Sequence, residues 1–214
     1  MKTKLTTLTL VGLLLGTIVQ PTQAQVGRGK FGFGLSLAGN TMQSDWKSTD
    51  IGIGAAADLS YSLGDNWGLV SKLGFNTFTG KISGVPEQEI ISDVVYGNIG
   101  VSYEFLPASQ VDPFVFAKVG LGFYTPRIKN GPALTSGKYQ MWDLSVGGGL
   151  GFDYYIDESW SVILAGEAGM LLNDQIDGYK AGGSNDIFGQ VSVGIRYYLF
   201  DRSTVERIVD TARK

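Results

Sequence analysis

Eight stretches of this chain alternate apolar with small or polar residues at a strict period of two, and that period admits only extended strands. In the first, residues 30–39, Phe31, Phe33, Leu35 and Leu37 share one face, while Gly32, Gly34, Ser36 and Ala38 share the other. The same pattern recurs at 51–63, 67–79, 95–105, 115–123, 142–154, 160–170 and 187–199. The links after the second and sixth stretches, Gly64-Asp65-Asn66 and Asp157-Glu158-Ser159, are three residues each and run straight into a Trp, as hairpins do. The link after the fourth, 106–112, is a little longer, and those after the odd-numbered stretches are read as 11 to 16 residues. Short turns at one end and long loops at the other describe an up-and-down meander whose long loops face outward.

The first 24 residues fall outside this pattern. Lys2 and Lys4 precede an apolar stretch at 8–19 and then Pro21-Thr22-Gln23-Ala24, which reads as an export signal cleaved after Ala24. Twelve apolar residues are too few for a spanning helix, which needs about 20. With Lys2 and Lys4 gone, 15 of the 17 basic residues remain against 20 acidic ones, a net charge of −5 that disfavours nucleic acid as a partner. The chain has no Cys and no His, so disulfides, a lipidated Cys, and the commonest general base and metal ligand are all missing. No metal or cofactor site is expected.

Periodicity alone does not say which face is inside. A soluble lipocalin-like carrier would hide the apolar face and show water a crowd of charges. Here the other face is mostly Gly, Ser and Ala. Small residues suit the crowded inside of a narrow barrel, and an uncharged apolar belt suits lipid. Aromatics mark both ends of that belt. Tyr61, Trp67, Tyr103, Phe105, Tyr154, Trp160 and Tyr197 stand at the short-turn end, and Phe75, Phe123 and Trp142 near the long-loop end, as two girdles would. The expected fold is therefore all-β, an eight-stranded antiparallel up-and-down transmembrane β-barrel over residues 25–200.

The last strand adds a resemblance. Ser192, Gly194, Tyr197 and Leu199 carry the polar, Gly, aromatic, hydrophobic spacing of the signal read by the outer-membrane barrel assembly machinery. With Ser62-Leu63-Gly64-Asp65-Asn66-Trp67 and Gly194-Ile195-Arg196-Tyr197-Tyr198, the chain resembles the OmpA/OmpX-like outer-membrane β-barrel family over about residues 30–200. The resemblance implies the cell outer membrane as its location, with membrane lipid, lipopolysaccharide and the assembly machinery as partners. The chain departs from minimal members by running on past Phe200. Ser203-Thr204-Val205-Glu206 has capping-box spacing, and Val205, Ile208 and Val209 share a helical face, so 201–214 is expected to be a short periplasmic helix. OmpA-like relatives carry a peptidoglycan-binding domain there, for which this tail is too short.

Catalysis finds little to work with. Ser44 and Lys47 have Ser-x-x-Lys spacing, but in a link rather than on a helix. Gly147-Gly148-Gly149-Leu150-Gly151 lacks the following helix that would hold a phosphate. The informative charges are those on the inward face: Asp58, Lys72, Glu104, Lys118, Asp143, Asp153, Glu167 and Arg196. A three-residue turn sets Asp58 opposite Lys72, and buried charges are tolerable only in pairs, so a structural ion network is expected, with a gated ion path as the alternative. Arg127, Lys129 and Lys138 lie in a link read as lacking acids and are candidates for lipopolysaccharide phosphates. The expected function is a small, non-catalytic outer-membrane barrel with a structural or surface-interaction role and an unidentified surface ligand. A narrow channel or small-solute porin is the first alternative, and a soluble carrier of apolar ligands the second.

Overall fold

The computed structural model describes residues 31–44, 47–64, 66–82, 88–107, 109–131, 142–157, 159–172 and 186–199; the expected leader at 1–24 and C-terminal helix at 201–214 lie outside them. The described residues form nine strands and no helix: β1 (Phe31–Gln43), β2 (Ser48–Asp50), β3 (Gly52–Ser62), β4 (Trp67–Ile82), β5 (Gln88–Glu104), β6 (Val111–Ile128), β7 (Trp142–Tyr155), β8 (Trp160–Leu171) and β9 (Ile187–Leu199). Neighbours run β4-β3-β1-β9-β8-β7-β6-β5 and back to β4, all antiparallel, so the sheet closes on itself as eight staves.

β2 and β3 make one stave between them. Asp50 faces Thr79 and Gly54 faces Asn76, which leaves three residues opposite two on β4. That is a one-residue bulge, and it joins the strand expected to begin at Ile51 to a further piece, β2, that precedes it. Around the ring, Phe31 leads by successive partners through Tyr61, Leu69, Val101, Ala117, Gly148, Ala168 and Gly189 to Thr41, ten residues further along β1. An offset of ten over eight strands tilts each strand by about 40° from the barrel axis, given a rise of ~3.3 Å per residue and a spacing of ~4.8 Å.

Apolar side chains face outward along the whole belt. Leu37 is 68% exposed, Ile99 66% and Val191 63%, whereas inward Asp153 is 2% exposed. A soluble carrier would bury this face, so that alternative falls. Trp67, Tyr103 and Phe105 pack edge to face at 5.1 and 5.3 Å, and Trp160 lies 4.8 Å from Tyr197, all at the short-turn end with Tyr61 and Tyr154. Near the other end, Phe75, Val95, Phe123 and Trp142 form one register row. At the tilt above, the two aromatic bands stand about 20 Å apart on β4 and about 30 Å on β7, bracketing the ~25 Å of a barrel's apolar belt.

Two of the links are shorter than the alternation implied. β1 continues to Gln43 and β4 to Ile82, so the connections are only 44–47 and 83–87. Beyond the Phe75 row the strands carry Thr77, Thr79 and Lys81 outward and Phe78 inward. Alternation persists there with its polarity reversed, so a search for an outward apolar face stops at the girdle while the backbone continues.

Candidate functional site

The lumen is filled in three layers. At the short-turn end, Arg196 of β9 is the centre of an ion cluster. Its Nε and Nη2 donate to Asp58 Oδ2 at 3.0 and 2.9 Å, and Nη1 donates to Asp153 Oδ2 at 3.0 Å. Ser161 Oγ donates to the other Asp153 oxygen at 3.0 Å, and Tyr198 and Tyr155 complete the cluster through hydroxyls 3.4 Å apart. Asp58 and Arg196 are both partners of Gly34 on β1, so their bond passes over that glycine; a Cβ on Gly34 would stand 2.3 Å from Asp58 Oδ1. Arg196 thus bridges five adjacent strands, β7-β8-β9-β1-β3, across the seam where the first and last strands meet.

The middle layer centres on Glu167 of β8. Lys118 of β6 reaches it at 2.8 Å, Lys72 of β4 lies 3.6 Å away, and Gln190 Nε2 donates to it at 2.7 Å. The Lys118 pair spans β7, whose inward Gly147 and Gly149 leave the space; a Cβ on Gly149 would stand 2.7 Å from the Phe116 ring. Asn76 Nδ2 donates to Gln190 Oε1 at 3.2 Å, and Ser145 Oγ donates to Asn98 Oδ1 at 3.0 Å.

This layer corrects one expectation. Asp58 and Lys72 are register partners, but their ion pairs run elsewhere, Asp58 to Arg196 and Lys72 across the lumen to Glu167. Adjacent inward side chains point in parallel, whereas residues two strands apart converge over an intervening glycine. The sequence displayed the glycines, but not what they make room for.

The third layer is apolar. Met42, Phe78, Ile90, Val94, Tyr124 and Leu171 form a buried cluster at the long-loop end, with Phe188 packed against it. Of the other inward charges, Glu104 is buried near Gly68 at the short-turn end, and Asp143 is buried at the start of β7, where its Oδ1 accepts from Leu144 N. Buried Asp112, which accepts from Leu106 N at 3.0 Å, and buried Asp186 escaped the sequence reading because both lie at strand ends where alternation has barely begun.

Between the lower two layers and the cap lies an amide belt. Asn40 is 2% and Asn76 3% exposed, and Asn40 Nδ2, Asn40 Oδ1 and Asn76 Oδ1 have no protein partner. A buried polar atom left unpaired costs on the order of 1–3 kcal/mol. An internal cavity of about 20 Å³ touches the belt at Asn76, Asn98 and Gln190, with Phe78 and Phe188 above.

On the outer surface past the girdle, Arg127 pairs with Asp93, and Lys129 Nζ meets Glu89 Oε1 at 2.7 Å. The link itself holds no acid, and its bases Arg127 and Lys129 are paired across the ladder with acids of β5. Arg127 lies in β6 itself and Lys129 one residue beyond it, while Lys138 lies outside the described residues. Ser44 and Lys47 are the ends of the link between β1 and β2, and neither is helical. In β9, Ser192 and Gly194 face the lumen and Tyr197 and Leu199 face outward.

A family model described as outer membrane protein beta-barrel domain matches residues 10–198. Among solved structures, the chain is similar to Neisserial surface protein A at 13% identity and a TM-score of 0.58, over 79% of this chain and 97% of that one. It is also similar to the outer membrane protein OprG from Pseudomonas aeruginosa at 13% identity and a TM-score of 0.52, over 79% and 95%. At such identities these two likenesses show the fold. No curated protein sequence matches the chain.

Proposed function

Because this chain belongs to the outer membrane protein beta-barrel domain family and resides in the outer membrane, we propose that it is a closed barrel with a structural or surface-interaction role and no catalysis. Its lumen acts as an internal brace. The observation that carries this reading is the three-layer filling. Eight strands enclose a space that side chains can fill, and here an ion cluster, an ion–amide layer and an apolar cap occupy it in turn. Asp58, Asp153 and Glu167 are engaged by Arg196, Lys118 and Lys72, which supports bracing over chemistry.

In this reading residues 1–24 are the export signal, 25–200 the barrel and 201–214 a periplasmic tail. Ser192, Gly194, Tyr197 and Leu199 are read by the assembly machinery. On the rim, the bases stand outermost: the side chains of Arg127 and Lys129 are 44% and 49% exposed, against 21% and 26% for Asp93 and Glu89. Their protruding cationic ends suit lipopolysaccharide phosphates.

Planar-bilayer recording of the purified protein tests the brace. Little steady conductance is expected; large, persistent open currents would replace this reading with that of a narrow channel.

A further inference from the structure

Asn40 and Asn76 approach each other from opposite sides of β3. Asn40 projects from β1 and Asn76 from β4, the two strands flanking β3. Each amide leans over a β3 glycine: a Cβ on Gly52 would stand 2.4 Å from Asn40 Oδ1, and one on Gly54 1.9 Å from Asn76 Oδ1. Those glycines lie two residues apart on one face, about 6–7 Å. Two carbonyl oxygens and one amide nitrogen thus converge over a floor with no side chains, and none of the three has a protein partner. Tyr124 Oη, likewise without a partner, belongs to the cap and not to this belt.

We propose that this amide belt is an internal solvent site, at which Asn40 and Asn76 hold water beneath the apolar cap. The ligand must both accept, from Asn40 Nδ2, and donate, to the two oxygens; water does both. A cation finds no available carboxylate, because Glu167 is already engaged by Lys118, Lys72 and Gln190. An anion would face two carbonyl oxygens. The adjoining cavity of about 20 Å³ has room for a single water and none for an organic solute. Asn40 does not line the cavity but stands next to it, as the register partner of the cavity-lining Gln190. On the loop side Phe78, Val94, Leu171 and Phe188 offer this water nothing to bond. The site therefore closes upward, whatever the rim binds.

The test is water-to-protein NMR cross-relaxation on the full barrel refolded in lipid nanodiscs, with labelled Asn side-chain amides and Ile, Leu and Val methyls. Cross-peaks from water are expected at the Asn40 and Asn76 amides and not at the Ile90 methyls, which belong to the cap but do not line the cavity. In Asn40→Leu, the Asn76 cross-peak is expected to fall by more than half. The absence of water contact at both amides would overturn the proposal, and so would equal contact at the Ile90 methyls. The unmutated protein decides alone should Asn40→Leu fail to fold.

Discussion

Strands β4 and β5 wear opposite faces below and above the upper aromatic row. Along β5 within the belt, Ile99 and Val95 point outward while Asn98 and Tyr96 point into the lumen. A few residues further toward the loops, Asp93 and Glu89 face outward and Val94 and Ile90 face inward. On β4, outward Phe75 gives way to outward Thr77, which donates to Asp93 at 3.0 Å, and inward Asn76 gives way to inward Phe78. The pleat does not change phase at this boundary; only the chemistry of the two faces exchanges. Lipid surrounds the lower region, so polar groups are driven inward to satisfy one another. Water surrounds the rim, so apolar groups are driven inward, as in a soluble protein. A barrel of this kind is held by ions below and by apolar packing above.

The largest effect should come from breaking the ionic region. Arg196→Met leaves the Asp58 and Asp153 carboxylates buried without their cation, and about 3–5 kcal/mol of stability should be lost in urea unfolding of the micelle-refolded protein. Gly34→Val, which changes no charge, should also weaken the barrel by forcing Asp58 away from Arg196. If neither variant loses stability, the short-turn cluster is not what braces that end.

The apolar region is tested by Phe78→Ala, expected to cost about 3 kcal/mol by opening a cavity in the cap. Phe75→Ala, three residues away on the outward face, should cost less than half as much, because acyl chains close around the smaller side chain. Equal losses in the same unfolding assay would mean that the rim has no core of its own.

The boundary itself is probed by the same charge on either side. Leu73→Lys, on the belt, should cost about 2–4 kcal/mol, whereas Thr79→Lys, outward on the same strand beside Asp50, should cost under about 1 kcal/mol. The difference between these two lysines in liposome-reconstituted protein locates the edge of the hydrocarbon.

Smaller effects are expected where a charge has more than one partner or is wet. Lys72→Ala should cost only about 1 kcal/mol, since Glu167 keeps Lys118 at 2.8 Å and the Gln190 amide. Glu89→Gln, against half-exposed Lys129, should change stability by less than about 0.5 kcal/mol, and less still at high salt.

Much of this was legible in the sequence because a pleat transmits its period directly into side-chain direction. The inward and outward assignments along 31–39, 67–76 and 95–105 agree with the burial of those residues. The ends of the tall strands were not legible, since Thr77, Phe78, Thr79 and Lys81 reverse the sign of the alternation that marked a strand. Of the lumen's polar residues, Asn40 escaped notice because it stands beyond the last outward apolar residue of its stretch.

The sequence by itself determined the period, the charge-free belt, the tight turns ahead of Trp67 and Trp160 and hence the closed antiparallel barrel, because each depends on residues near one another in the chain. Only the tertiary structure decided which charges meet. Arg196 reaches Asp58 and Asp153 because closure of β9 on β1 sets three distant segments side by side, with Gly34 between two of them. Partner choice in a lumen follows from the offset of the ring and the gaps left by glycine, and neither exists until the first strand has found the last.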